Sequence, residues 1–365
     1  MKRDFQIVLW GATGFTGQIV AEYLNNSYRE NLRWAIGGRS REKLLDLKAR
    51  LALADNVEIL VGDSFDENSL QEITTRTDVV ISTVGPYALY GHAIVSACVV
   101  TQTDYCDLTG EVPFVKDSID RFHDKALQNK VKIVHSCGYD SIPSDIGCMM
   151  LQEHAIKKYG KPFSKVKLYV LGVKGKPSGG TIASMINLIK EAKNPEKRSI
   201  QTNPYALCPA SGETMPKQNI QSNVRFDSRI AKWTAPFIMA RFNSRIVFRT
   251  NALLQYRYGK DFLYDEALIC GRGFKGKIRG IMLMTGIWLA ILLMKFSITR
   301  WVLQKTVLPS PGQGPSKDQR ESGFFKVKLV GEDQNKRVDV NISDSNDPGY
   351  GSTSRMLAES ALCLA

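Results

Sequence analysis

Ile7-Val8-Leu9-Trp10-Gly11-Ala12-Thr13-Gly14-Phe15-Thr16-Gly17 is a short apolar run that breaks into three glycines spaced three residues apart. The run predicts a buried strand, and Gln18 to Leu24, apolar at helical spacing, predicts the helix that follows. Each glycine has a separate expected task. Gly11 lets the chain reverse, Gly14 leaves no Cβ between the backbone and a bound pyrophosphate, and Gly17 lets the helix pack closely on the strand. The helix N-terminus, with free N–H groups and partial positive charge, then faces the anion. An ordinary turn has no need of all three glycines between a strand and a helix. Gly11, Ala12, Thr13, Gly14, Phe15, Thr16 and Gly17 therefore read as the floor of a dinucleotide site.

Working outward, Arg33 to Ser40 reads as a second buried strand, ending in Gly37-Gly38-Arg39-Ser40. An acidic residue at this strand end would hold a ribose 2′-hydroxyl, whereas a cation suits a 2′-phosphate. Arg39 and Ser40, with Arg41 and Lys43 behind them and no carboxylate, point to NADP(H). The alternative is that Arg39 merely caps a turn. Arg41 to Ala54 is a helix by its leucine spacing, and Val57 to Val61 is a strand whose end places Asp63 near the adenine. Val79 to Val84 is a fourth strand. It delivers Thr83, Val84, Gly85 and Pro86 to the carboxyl edge of the sheet, where ligands lie in open α/β folds. Helices at Gly91 to Val99 and Val115 to Gln128, and a strand at Val131 to His135, continue the alternation.

This pattern predicts an α/β protein with an N-terminal doubly wound parallel sheet, a Rossmann domain over residues 1–135. Beyond it the rhythm changes. A helix at Ile146 to Tyr159, capped by Ser144 or Asp145, precedes longer alternating strands at Lys165 to Val173, Phe324 to Val330 and Arg337 to Ile342. A helix at Thr181 to Ala192 and a weakly patterned stretch from Asn194 to Thr234 lie between them. Residues 136–348 thus read as a second α+β domain on a mixed sheet, for substrate binding or dimerisation. Residues 349–365 form a C-terminal helix returning toward the first domain.

The 365 residues are 43% hydrophobic and 23% charged, which describes a well-cored protein and argues against disorder. Met1 to Phe5 leads straight into the first strand, so the expectation is a cytoplasmic protein without a leader. The seven cysteines include no Cys-x-x-Cys pair, and most sit in apolar surroundings, as reduced buried thiols do. The net charge of +13 is concentrated in the second half, where no Asp or Glu occurs between Ala267 and Lys317. The basic stretches lack a nucleic-acid module and interleave with aliphatic runs, which disfavours nucleic acid as a partner. Within 272–305, Ile281 to Met294 is a fourteen-residue apolar run flanked by Arg279 and Lys295. At ~1.5 Å per residue it falls short of a ~30 Å hydrocarbon core, so peripheral anchoring on anionic lipid, or a buried core or homodimer-interface helix, is expected instead of a span.

Gly11–Gly17, Gly38–Ser40, Val84–Tyr87, Asp104–Glu111, Gly138–Asp145, Pro311–Ser316 and Gly349–Ser352 together resemble the saccharopine dehydrogenase-like oxidoreductases, including their trans-acting enoyl reductases of lipid biosynthesis. The resemblance implies an NADP-binding Rossmann domain, a smaller α/β domain and an active site between them. It also implies a chain longer at the carboxyl end, so the final helix looks truncated.

Neither residues nor resemblance supply a defined proton donor. Tyr87, Asp107, Glu111 and Tyr139 are catalytic candidates by position, and His135, at a strand end, is the one histidine placed for chemistry, although a satisfied structural role is the first expectation for each histidine. No metal-ligand cluster or Ser-His-Asp order competes with hydride transfer. The expected activity is NADPH-dependent reduction of a double bond in a lipid or glycolipid precursor. The alternatives are a saccharopine-type dehydrogenase with an amino-acid-like substrate and a non-catalytic NADP-binding scaffold at a membrane.

Overall fold

The computed structural model describes residues 3–210, 214–296, 299, 301, 303, 305, 309 and 312–365. Six parallel strands form the first sheet: β1 (Phe5–Trp10), β2 (Trp34–Gly38), β3 (Glu58–Val61), β4 (Thr77–Ser82), β5 (Asp104–Asp107) and β6 (Ile133–Val134). Their order is β3-β2-β1-β4-β5-β6. The chain leaves β1 toward β2 on one side and reaches β4 on the other. A crevice therefore opens beyond the carboxyl ends of β1 and β4.

Side-chain alternation along the central strands feeds two cores. Val8, Trp10, Val80 and Tyr105 face α3 (Glu67–Thr75), α4 (Tyr87–Val100) and α5 (Val112–Asn129), through Leu70, Ile94 and Phe114. Ile7, Leu9, Val79 and Ile81 face α1 (Phe15–Tyr28), α2 (Arg41–Arg50) and the C-terminal helix Thr353–Leu364, through Val20, Leu44 and Leu357. The sheet is thus covered on both faces, which is why its strands read as continuous apolar runs. The C-terminal helix buries Leu357, Ala358 and Ala361 completely. Tyr23 and Tyr28 of α1 both donate hydrogen bonds to Glu359, at 2.7 and 2.6 Å.

The second sheet is mixed, in the order β12-β11-β7-β10-β9-β8. Its strands are β7 (Lys165–Lys174), β8 (Arg225–Asp227), β9 (Lys232–Pro236), β10 (Leu263–Gly271), β11 (Phe324–Asp333) and β12 (Lys336–Asp344). β7 and β10 are parallel and the other pairs antiparallel. Around it lie α6 (Ile142–Tyr159), α7 (Gly179–Glu191), α8 (Pro195–Thr202), α9 (Ala240–Leu253) and α10 (Gly273–Lys295). The sequence pattern reveals three of the six strands. β10 is obscured by Asp265-Glu266 inside it. Glu266 is fully buried and accepts from Tyr264 Oη and Asn243 Nδ2, both at 2.8 Å, while Asp265 pairs with Lys167 and Arg225 at 3.3 and 3.1 Å.

Three helices begin earlier than their apolar spacing suggests. α4 starts at Tyr87 rather than Gly91, α5 at Val112 rather than Val115, and α6 at Ile142 rather than Ile146. Pro113 and Pro143 occupy the first turns of α5 and α6, where a missing N–H is harmless. The cap of α6 is accordingly Ser141, and Ser144 and Asp145 lie inside the helix.

The largest difference concerns α10. It spans 23 residues, not fourteen, which at ~1.5 Å per residue is about 34 Å. By length and composition it is able to cross a membrane, so the argument from shortness fails. Gly276 and Gly280 lie inside the helix, where it packs closely on its neighbours. A Cβ on Gly276 would stand 2.5 Å from Gly271 O, and one on Gly280 would stand 2.8 Å from Val224.

Candidate active site

The glycine turn follows β1 as its spacing requires. Gly11 has φ +86°, which favours glycine, and a Cβ there would stand 2.5 Å from Val84. At Gly17 a Cβ would stand 2.3 Å from Gly11 O and 2.8 Å from Ala12 Cα, so α1 packs against backbone that has no room to yield. Gly14 differs. A Cβ there meets only Gly11 O, at 3.2 Å, and the open side faces the crevice. Gly14 is also the N-cap of α1, with no side chain bonded to the first turn. The arrangement leaves helix N–H groups and an unfilled cradle where a pyrophosphate fits.

Arg39 extends from the end of β2, exposed, with no hydrogen bond or ion pair to any described residue. Ser40 caps α2 by accepting from Lys43 N at 3.3 Å. Asp63, at the end of β3, accepts from Phe65 N at 2.9 Å, and the exposed Phe65 ring meets Tyr90 edge-on at 5.5 Å. At the end of β4, Thr83 Oγ1 donates to Gly11 O at 3.0 Å, tying the glycine turn to the Thr83–Pro86 segment.

The catalytic candidates come close together in part, and none of them offers a free acid. Glu111 is fully buried. Its carboxylate accepts from Tyr87 N and Ala88 N, both at 3.0 Å, and from Ser184 Oγ of α7 at 2.8 Å. It thereby caps α4 and fixes the chain next to Gly85-Pro86. Burial raises its pKa against the lowering effect of those three donors. Tyr87 points its hydroxyl inward to Ser82 O at 3.0 Å, and burial pushes its pKa well up. Asp107 is fully buried and accepts from Tyr105 Oη, Thr109 N and Ser136 N, each at 3.0 Å. His135 Nδ1 lies 2.7 Å from the same carboxylate, and its Nε2 lies 3.0 Å from Ser118 Oγ. His135 is thus a satisfied structural histidine. Tyr139 packs on Phe325, ring centroids 4.7 Å apart, in the core of the second domain.

Gly314, Arg320 and Tyr350, none of which the sequence pattern gives a role, close the crevice over Phe15. The ring of Phe15, inside the glycine turn, meets Tyr350 edge-on at 4.9 Å, and a Cβ on Gly314 would stand 2.4 Å from it. Arg320 stacks over Phe15 at 5.9 Å. The Tyr350 hydroxyl accepts from Ser178 N and lies 2.9 Å from Thr181 Oγ1, at the start of α7. One turn further, Ser184 reaches Glu111. Helix α7 therefore bridges the glycine turn and the end of β4, across the place where the reactive end of a dinucleotide bound at Gly14 would lie. Asp347, fully buried, accepts from Tyr350 N and Gly351 N at 3.0 and 2.9 Å and holds this segment in place. The only available signal was the pair of Gly-rich stretches Pro311–Ser316 and Gly349–Ser352. Pro311 itself lies outside the described residues, as does Arg300 of the basic segment.

A cavity of about 390 Å³ lies elsewhere, between α5, β6, α6 and α9, lined by Ile119, Ala126, Ile142, Ile246 and Arg249 among others. No residue of the glycine turn lines it. Among the described residues there is also no His, Cys, Asp or Glu group fit to hold a metal ion.

Residues 7–134, the strands and helices that build this crevice, match the family model for the saccharopine dehydrogenase NADP binding domain. A Mycobacterium tuberculosis protein assigned to the trans-acting enoyl reductases is 38% identical over 377 residues, covering all of this chain and 89% of its own length. The chain belongs to the saccharopine dehydrogenase-like oxidoreductase family. Within that family it is also 33% identical to a trans-acting enoyl reductase of Mycobacterium ulcerans, over 379 residues that cover 100% of the chain and 90% of the relative. The architecture is similar to apo saccharopine dehydrogenase (L-Glu forming) from Saccharomyces cerevisiae, at a TM-score of 0.50 and 10% identity over 99% of this chain and 91% of that one. The likeness at that identity is one of fold. This family member is an NADP-dependent oxidoreductase that binds NADP(H).

Proposed function

We propose that the protein uses NADPH to reduce the carbon–carbon double bond of an enoyl group carried on a lipid or glycolipid precursor. The reading rests first on full-length identity to proteins named trans-acting enoyl reductases. Residues 1–135 would hold the cofactor, 136–348 the substrate, and 349–365 would lock the first domain shut.

Gly11 to Gly17 would bind the pyrophosphate through backbone N–H groups, Arg39 and Ser40 the 2′-phosphate, and Asp63 the adenosine end. Thr83 to Pro86 would place the nicotinamide under α7, where the bound cofactor supplies a hydride. Glu111 then acts as a positioning residue: through Tyr87 N, Ala88 N and Ser184 Oγ it fixes the distance between the end of β4 and α7. Tyr87 and Asp107 stabilise the edge of the sheet from inside. In the substrate space, Phe15, Tyr350 and α7 would exclude water from the reacting carbon.

One observation favours an enoyl over a polycarboxylate substrate. Helix α7 carries no charge from Gly179 to Ile189, and the buried group beneath it, Glu111, is acidic. Two or three substrate carboxylates would find no cation on this stretch of α7, where Arg320 over Phe15 is the single cation placed at the crevice by the contacts above. The test is NADPH oxidation with 2-enoyl thioesters of increasing chain length, with the reduction of NADP+ by saccharopine, itself the reduced amine, as the rival reaction. Turnover of the thioesters alone supports the proposal, and turnover of saccharopine alone reverses it. NADPH binding with neither turnover favours a scaffold.

A further inference from the structure

The side chains of α10 from Ile281 to Leu292 are mostly exposed among the described residues, and nearly all of them are apolar. Its first two turns are anchored: Gly276 and Gly280 lie against Gly271 and Val224, and Lys277 stacks over Trp233 at 5.4 Å. From Ile281 to Leu292 most side chains are exposed, and Met294 is buried again. Met282 is 69% exposed, Trp288 63%, Leu289 54% and Leu292 51%.

The exposed residues do not make one stripe. At 100° per residue, Ile281, Trp288 and Leu292 share one side, Met282 and Leu289 the next, Leu283 the opposite side and Ile291 the quadrant between. A helix that lies flat on a membrane needs a polar face, and this segment has only Thr285. Apolar residues all round belong instead to a helix surrounded by hydrocarbon or protein.

Two features decide what surrounds it. The charge is one-sided: Arg272, Lys275, Lys277 and Arg279 stand at the start of the helix and Lys295 at its end, with no Asp or Glu between Ala267 and Lys317. A second copy of this chain would bring the same cations against these, whereas anionic headgroups complement them. The topology is closed as well. β10 enters α10 from the second sheet, and by Gly314 the chain is back against Phe15 of the glycine turn. Both ends of the helix therefore belong to one globular body, and α10 does not cross a bilayer as a single pass.

We propose that α10 is submerged lengthwise in one leaflet of an anionic membrane. Arg272 to Arg279 at one end and Lys295 at the other hold the headgroups, and the exposed side chains from Ile281 to Leu292 lie among the acyl chains.

The experiment is flotation of the full chain with vesicles of phosphatidylcholine alone or mixed with phosphatidylglycerol. It is coupled to tryptophan fluorescence in a Trp301→Phe background, with lipids brominated in the acyl chain as quenchers and Trp288→Phe added as the control that separates Trp288 from Trp10, Trp34 and Trp233. Roughly tenfold or stronger partitioning onto the anionic vesicles is expected, lost in Lys275→Gln/Lys277→Gln/Arg279→Gln, with Trp288 quenched by the acyl-chain bromines. Leu289→Asp/Leu292→Asp, at exposed positions, should abolish quenching while NADPH affinity is kept, which shows that the fold is intact. Unquenched Trp288, binding unchanged in the double aspartate variant, or a stable dimer that shields Trp288 without lipid would each overturn the proposal.

Discussion

Arg39→Ala removes an exposed side chain that makes no hydrogen bond or ion pair with any described residue, so its effect on binding separates cleanly from its effect on folding. It caps no helix and its burial is slight, so the melting temperature should stay within the small range of ordinary surface substitutions. The lost interaction is a charge-assisted hydrogen bond to the 2′-phosphate. Such bonds contribute about 1.5–3 kcal/mol, which at ~1.4 kcal/mol per decade is roughly a ten- to hundredfold rise in the NADPH dissociation constant. The lower end is the more realistic, since Arg41 and Lys43 are exposed nearby and can supply part of the field. NADH, without the phosphate, should bind as it does to the parent. Calorimetric titration of both nucleotides at low and at physiological salt measures the difference. Equal weakening of NADPH and NADH, or no weakening of either, would refute the assignment of Arg39 as the phosphate ligand.

Gly14→Val should leave the melting temperature nearly unchanged and abolish NADPH binding. Gly17→Ala, whose Cβ would stand 2.3 Å from Gly11 O, should instead lower thermal stability in the absence of any nucleotide. Leu357→Ala, at a fully buried position where the C-terminal helix meets the first sheet, should cost about 2–5 kcal/mol in urea unfolding. Burial pushes the Glu266 carboxyl up to about 7 from an ordinary value near 4.5. The folded state then holds a proton that the unfolded chain has released, so stability contributed by the protonated group is complete below about pH 4.5 and lost as the pH rises through 7. Glu266→Gln, which removes this titration, should flatten the fall in unfolding free energy between those values. An equally steep fall in the variant would assign the pH dependence elsewhere.

The first domain is legible in the sequence because its strands are buried on both faces and its turn chemistry is local. Gly11, Gly14 and Gly17 each have a task fixed by neighbours within a few residues, and Arg39 lies at the end of the next strand. The second domain hides its middle strands. β10 carries Asp265 and Glu266, whose partners Lys167, Arg225, Tyr264 and Asn243 are spread across the chain, and no apolar pattern announces such a strand. The closure of the crevice is hidden for the same reason. Phe15 meets Tyr350, and Glu111 meets Ser184, contacts between distant segments for which local periodicity carries no signal. Tyr87, Asp107 and Tyr139 look poised for chemistry because polar residues at strand ends usually are. The structure turns Tyr87 toward Ser82, surrounds Asp107 with donors and packs Tyr139 on Phe325. In α10 the apolar run shows only the part from Ile281 to Met294, since the first two turns are set by close packing at Gly276 and Gly280.

The central claim, hydride transfer from NADPH to an enoyl carbon in the crevice beneath α7, is tested most directly by isotope transfer. The enzyme is incubated with NADPH deuterated at C4 of the nicotinamide, each face in turn, and a 2-enoyl thioester, and the acyl product is analysed by mass spectrometry. The account predicts a saturated acyl product carrying one deuterium at the β-carbon from one of the two labelled cofactors, and no transfer in Gly14→Val. An unlabelled or unreduced acyl chain, under conditions where calorimetry shows NADPH bound, would contradict it.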